Sequence, residues 1–105
     1  MKASVLGCGT WGSAIAQSLA DNGVVVTAWQ RYEEKSKDME STRKHPILKN
    51  IEFNNNINFT SNLDKAINNG NIIFLAIPSH AIRTISSQIS KVLKKDSILV
   101  NLAKG

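Results

Sequence analysis

Short apolar runs alternate with helical stretches along this sequence, and the alternation predicts an α/β fold: a doubly wound parallel sheet with helices on both faces. Two observations carry the prediction. The apolar runs at 3–6 and 24–29 are joined by a glycine loop and one helix, a crossover that a hairpin does not need and a parallel pair does. Residues 72–77 (Ile-Ile-Phe-Leu-Ala-Ile) form an uninterrupted apolar run, as a central strand covered on both faces requires. The expected strand order is 3-2-1-4-5. The loops at 7–12, 30–31, 77–80 and 103–105 then all leave the carboxyl ends of strands, where sheets of this kind bind ligands.

Taken in order, residues 3–6 make the first strand and Gly7 ends it. Trp11, Ala14, Ile15, Ser18 and Leu19 recur at helical spacing, which predicts a helix with that face turned inward, stopped by Asp21-Asn22-Gly23. The β-branched run at 24–29 is the second strand. Residues 32–44 are charged and helix-permissive, with only Tyr32 and Met39 to bury. His45-Pro46 interrupts, and a polar, Asn-rich stretch follows, with Ile47, Leu48, Ile51 and Phe53 as anchors onto the core. A short strand is expected at 57–60. Ser61 or Asn62 can cap a brief helix through Leu63, Ala66 and Ile67, ended by Asn69-Gly70. After the run at 72–77, Pro78 breaks the strand and Ser79 can cap a helix whose Ile82, Ile85, Ile89, Val92 and Leu93 share one face. Lys94-Lys95-Asp96 turns the chain into a last buried strand at 98–102.

Composition narrows the function classes. The 105 residues suit one domain, 42% hydrophobic and 20% charged, and no run approaches the roughly 20 apolar residues that span a bilayer. Nothing at Met1–Leu6 resembles a cleavable leader, so a cytoplasmic protein without a membrane association is expected. The one cysteine, Cys8, excludes an intrachain disulfide and cannot build a structural zinc site alone; no metal is expected. A net charge of +5 suits an anionic ligand, but Arg and Lys are not clustered with interleaved aromatics, which argues against nucleic acid.

The chemistry is concentrated in the loops. Gly7-Cys8-Gly9-Thr10-Trp11-Gly12 follows a strand and opens a helix within a βαβ unit, the context that turns a G-x-G-x-x-G pattern into a dinucleotide fingerprint of the Rossmann type. Gly7 permits the tight turn, Gly9 lets backbone approach a pyrophosphate, and Gly12 lets the helix lie close to the sheet. The amides of residues 10–12 then face the phosphates. Trp11 covers a cofactor, wedges between domains or packs in the core. At the end of the second strand, where an NAD enzyme usually has a carboxylate for the ribose hydroxyls, stand Gln30 and Arg31; this pair suits a 2′-phosphate. NADP(H) is therefore the expected coenzyme, with NAD(H) as the alternative. Lys104 at the end of the last strand can contact a phosphate or polarise a substrate oxygen. His80 reads as structural rather than catalytic, Cys8 as an inert small residue, and His45 carries no evident chemistry.

Together, Gly7 to Ala14, Val26-Thr27-Ala28-Trp29-Gln30-Arg31, Ala76-Ile77-Pro78-Ser79-His80-Ala81 and Ala103-Lys104-Gly105 resemble the bacterial-type NAD(P)-dependent glycerol-3-phosphate dehydrogenase, block by block across the chain. The resemblance implies reversible hydride transfer between a nicotinamide cofactor and dihydroxyacetone phosphate, giving sn-glycerol 3-phosphate for phospholipid synthesis. It implies cofactor contacts at Thr10, Trp11, Pro78 and Arg31, and a contact of Lys104 with both cofactor and substrate. The family's proton-donating lysine belongs to a helical C-terminal domain beyond residue 105, so residues 1–105 are expected to be the cofactor domain, without a catalytic residue, able to bind but not to turn over. A homodimer of the full-length enzyme is compatible with this. Cys8, Gln30 and Ala103 depart from the family's frequent residues and bear mainly on coenzyme choice. Rival readings are the cofactor domain of a ketopantoate or sugar-acid reductase, and a stand-alone NAD(P)H-binding module without catalysis.

Overall fold

The computed structural model describes residues 1–102; Ala103, Lys104 and Gly105, and with them the expected Lys104 contacts, lie outside the described residues. The elements run β1 (Lys2–Leu6), α1 (Thr10–Asp21), β2 (Val25–Trp29), α2 (Glu33–Thr42), β3 (Ile57–Thr60), α3 (Leu63–Asn69), β4 (Ile72–Leu75), α4 (Ser79–Val92) and β5 (Ile98–Asn101). The five strands form one sheet in the order β3-β2-β1-β4-β5, every neighbouring pair parallel. This is the doubly wound topology expected from the sequence. Its ligand-binding crevice lies beyond the carboxyl ends of β1 and β4, where the strand order reverses.

Two apolar layers hold the sheet. One is built on Val5, Val26, Ala28, Met39, Phe53, Ile57 and Phe59, beneath α1 and α2. The other joins Leu6, Trp29, Ile73 and Leu75 to Leu63, Ala66 and Ile67 of α3 and Ile89 of α4. The seat of α3 against β1 is close: a Cβ on Gly70 would meet Ser4 Oγ at 2.4 Å and Ser4 N at 2.8 Å. Gly70 ends α3 with extended backbone (φ −110°, ψ 138°), so packing rather than a left-handed cap requires glycine here. Asn62, not Ser61, is the cap, its side chain accepting from the Lys65 amide at 3.1 Å.

Four local expectations are corrected. The buried face of α1 is Gly12, Ser13, Ala16 and Ala20, with Ile15 and Leu19 only flanking it, while Trp11, Ala14 and Ser18 face outward. A helix that lies this close to a sheet selects its smallest residues for the contact, not its most apolar ones. Pro78, not Ser79, caps α4, its carbonyl accepting from the Ala81 amide at 2.9 Å. Ile47 is no anchor, being 70% exposed, whereas Phe53 is buried as expected. β5 is not buried: Ile98 is 58% exposed, because no described helix packs closely over this edge strand, whereas α2 covers β3 at the opposite edge. No helix among the described residues is long and apolar enough to cross a membrane.

Candidate functional site

The carboxyl ends of the strands open onto a cleft of about 1250 Å³. The structure brings together there nearly every residue singled out in the sequence: Gly7, Gly9, Thr10, Trp11 and Gly12 from the β1–α1 loop, Gln30 and Arg31 from the end of β2, and Pro78 and His80 from the β4–α4 turn. Trp29, Tyr32, Lys35, Met39, His45 and Ile47 complete the β2 side. The volume exceeds the range of about 300–1,000 Å³ usual for drug-sized ligands, which suits an extended ligand.

The three glycines divide into two kinds. Gly7 has φ 117°, and a Cβ there would stand 2.5 Å from the Ala76 carbonyl oxygen of the neighbouring strand end. A Cβ on Gly12 would stand 2.0 Å from Gly7 O, so the first turn of α1 rests directly on the loop. Both are needed by the fold itself. Gly9 is different: it caps α1 with ordinary extended backbone (φ −68°, ψ −172°), lines the cleft, and a Cβ on it would meet no atom within 4 Å. Nothing among the described residues requires glycine at position 9. The open backbone at Gly9 leaves room for a ligand to approach closely, and in this the residues fit a dinucleotide's pyrophosphate.

The first amide of α1 to find a backbone acceptor is that of Ser13, which donates to Gly9 O at 2.9 Å. The preceding amides, Thr10 to Gly12, are the unpaired donors of a helix N-terminus, with the helix dipole behind them. No acidic residue stands in that first turn to compete for them. Among the described residues the cleft is lined by two cations, Arg31 and Lys35, and by no carboxylate. Its electrostatics therefore favour an anion.

Two residues without a sequence role prove structural to the site. His45 is 5% exposed; its Nδ1 accepts from the amides of Ile47 and Leu48 at 3.0 and 3.1 Å, so Nε2 carries the hydrogen and donates to the Cys8 carbonyl at 3.0 Å. The hydroxyl of Ser13 donates to the same carbonyl at 3.1 Å. Fixing that carbonyl from two sides fixes the plane of the Cys8–Gly9 peptide. No pattern in the sequence marks His45, since its partners are backbone atoms brought close only by the fold; the adjacent Pro46 was the visible signal. Cys8 is buried, its Sγ donating to the Trp29 carbonyl at 3.2 Å, and burial pushes its thiol up to about 12, which makes it inert as expected. Trp11 is 61% exposed beside the cleft, which rules out the core-packing alternative. The side-chain amide oxygen of Gln30 accepts from the Tyr32 backbone amide at 3.4 Å, and the Gln30 backbone amide donates to Thr60 O at 2.9 Å, which anchors the turn that presents Arg31.

Comparison with known proteins gives a consistent picture. Residues 2–105 match the family model described as NAD-dependent glycerol-3-phosphate dehydrogenase N-terminus. The chain is 41% identical over 105 residues to a glycerol-3-phosphate dehydrogenase (NAD(P)+) of Thermoanaerobacter sp. (strain X514), covering 100% of this chain and 32% of that protein. A protein of the same name from Fusobacterium nucleatum is 38% identical over 106 residues, again with 32% of its length covered. Among solved structures, the fold superposes on glycerol-3-phosphate dehydrogenase from Coxiella burnetii with a TM-score of 0.89 at 21% identity, over 99% of this chain and 32% of that one. The chain thus spans about a third of the length of the curated relatives it matches.

Proposed function

The chain belongs to the family of NAD-dependent glycerol-3-phosphate dehydrogenase N-terminal domains, and from that premise we propose that its cleft binds a nicotinamide dinucleotide for the reduction of a phosphorylated ketone. The observation that carries this reading is Gly9: a glycine the fold does not need, at a helix N-terminus, lining a cleft free of described carboxylates. The amides of Thr10, Trp11 and Gly12 bind the pyrophosphate, and Arg31 binds the adenosine side. Pro78 and His80 flank the route to the nicotinamide. Trp11, exposed beside the cleft, shields the bound cofactor from water.

When bound, the reduced nicotinamide supplies a hydride. The names of the relatives support glycerol 3-phosphate as the substrate; the proposed pair is dihydroxyacetone phosphate and sn-glycerol 3-phosphate, and the proposed use of the product is phospholipid synthesis. Lys104 is proposed to contact both cofactor and substrate, and the proton for the developing alkoxide comes from outside residues 1–105, so these residues bind without turning over. The reading extends to a cytoplasmic enzyme that works as a homodimer at full length.

NADP(H) is the preferred coenzyme in this proposal. Arg31 lines the cleft beside Gln30, and no described carboxylate is there to accept from a 2′-hydroxyl or repel a 2′-phosphate. Calorimetric titration of the chain and of Arg31→Ala with NADPH and NADH is the test. Arg31→Ala is expected to weaken NADPH alone; equal losses for both coenzymes, or a parent that prefers NADH, would refute the preference.

A further inference from the structure

The sequence points to Arg31 alone as reader of a 2′-phosphate, yet a second cation stands beside it. Lys35 lines the same cleft, four residues further on in the first turn of α2. Its Nζ lies 5.1 Å from the centre of the Tyr32 ring, and the Arg31 guanidinium carbon lies 5.9 Å from that same centre. The ring of Tyr32 therefore holds both cations at one edge of the cleft, each attracted by its negative face.

The surroundings explain why Lys35 is available. Lys37, two residues on, pairs with Glu33 at 3.1 Å, both side chains being solvent-exposed. Among the described residues neither Arg31 nor Lys35 forms an ion pair. Lys35 also sits in the first turn of α2, the end of a helix where the macrodipole disfavours a cation. Helix stability gives no reason for a lysine there; a bound anion gives one.

Building on the cofactor reading above, we propose that Lys35 is a specificity-determining residue: with Arg31 it closes a two-cation clamp, spaced by the Tyr32 ring, on the 2′-phosphate of an NADP-type dinucleotide. Arg31 supplies a planar fork to the phosphate oxygens and Lys35 a point charge from the next turn. Preference for the phosphorylated coenzyme is then shared between the two residues, and loss of Arg31 alone leaves part of it in place.

The test is calorimetric titration of the parent chain, Lys35→Gln, Lys35→Glu and the double variant Arg31→Ala/Lys35→Gln with NADPH and with NADH, at low and moderate salt. Lys35→Gln is expected to weaken NADPH about 3- to 10-fold while leaving NADH within about 2-fold, with a shallower salt dependence for NADPH. Lys35→Glu reduces the preference further, and the double variant loses more of it than Arg31→Ala does. Circular dichroism of each variant matches the parent, because Lys35 is exposed. An NADPH preference that is undiminished in both Lys35→Gln and Lys35→Glu overturns this proposal and leaves the cofactor reading standing. A parent that binds neither coenzyme overturns both.

Discussion

His45 and Cys8, 37 positions apart, are joined through a single hydrogen bond from the imidazole Nε2–H to the Cys8 carbonyl at 3.0 Å. That bond ties the irregular connection after α2 to the glycine loop, and the two amides that His45 accepts hold the connection in turn. The ring also packs edge-on against Phe53, 6.3 Å between centres, which carries the brace into the core.

Removing the imidazole should loosen the loop without altering which coenzyme it prefers. His45→Ala is expected to lower unfolding free energy by about 1–3 kcal/mol, the usual result of leaving buried partners unsatisfied. It is also expected to weaken NADPH and NADH by the same factor, since both present the same pyrophosphate. His45→Gln, whose terminal amide can still reach the Cys8 carbonyl, should recover part of the affinity. Urea unfolding paired with titration checks this, and a loss confined to one coenzyme would count against it.

Gly70→Ala should act on the fold alone, and Gly12→Ala on the fold and, through the first turn of α1, on the ligand as well. Gly12→Ala drives a Cβ to within 2.0 Å of Gly7 O, and Gly70→Ala drives one to within 2.8 Å of the Ser4 amide nitrogen. Each is expected to destabilise by about 1–3 kcal/mol, as overpacking does. Gly70→Ala, far from the cleft, should leave affinity unchanged at temperatures where the domain remains folded. Thermal unfolding with and without NADPH separates the two effects.

Cys8 should resist modification until the protein unfolds. Burial raises its thiol from 9.0 to about 12, so the native state holds the proton more tightly than the unfolded chain. The stability associated with this group is complete below the unfolded value of 9.0 and is lost as pH rises toward about 12. Measured by urea unfolding, the parent should therefore lose stability relative to Cys8→Ala between about pH 8 and 10.5. Alkylation near neutral pH should be slow in buffer and fast in urea. Rapid labelling of the folded chain would contradict the burial of the thiol.

Strand runs, the glycine loop and the crossover were legible in the sequence because each is a local signal: β-branched residues at 24–29, an unbroken apolar run at 72–77, glycines at 7, 9 and 12. What escaped was non-local. The inward face of α1 is set by how closely Gly12 lets the helix approach Gly7, so Ala16 and Ala20 replace the bulkier residues that periodicity favours. Exposure of β5 follows from the lack of a described helix packed closely over it, which its apolar composition does not reveal, whereas α2 covers β3 at the other edge. His45 and Lys35 acquire their surroundings only when distant segments meet, whereas Arg31 was legible because its distance from the glycine loop is itself part of the fingerprint.

In the proposed function, the β1–α1 loop binds a dinucleotide's pyrophosphate through backbone that only glycine at position 9 leaves open. The most direct test is calorimetric titration of NADPH into the parent chain and into Gly9→Val, with urea unfolding of both. The substituted Cβ meets no atom of the described residues within 4 Å and the backbone at Gly9 is in an ordinary extended region. Gly9→Val is therefore expected to unfold within about 1 kcal/mol of the parent, the scale of a change at a helix cap, while its NADPH binding is lost. A folded Gly9→Val that binds NADPH as tightly as the parent would contradict the account.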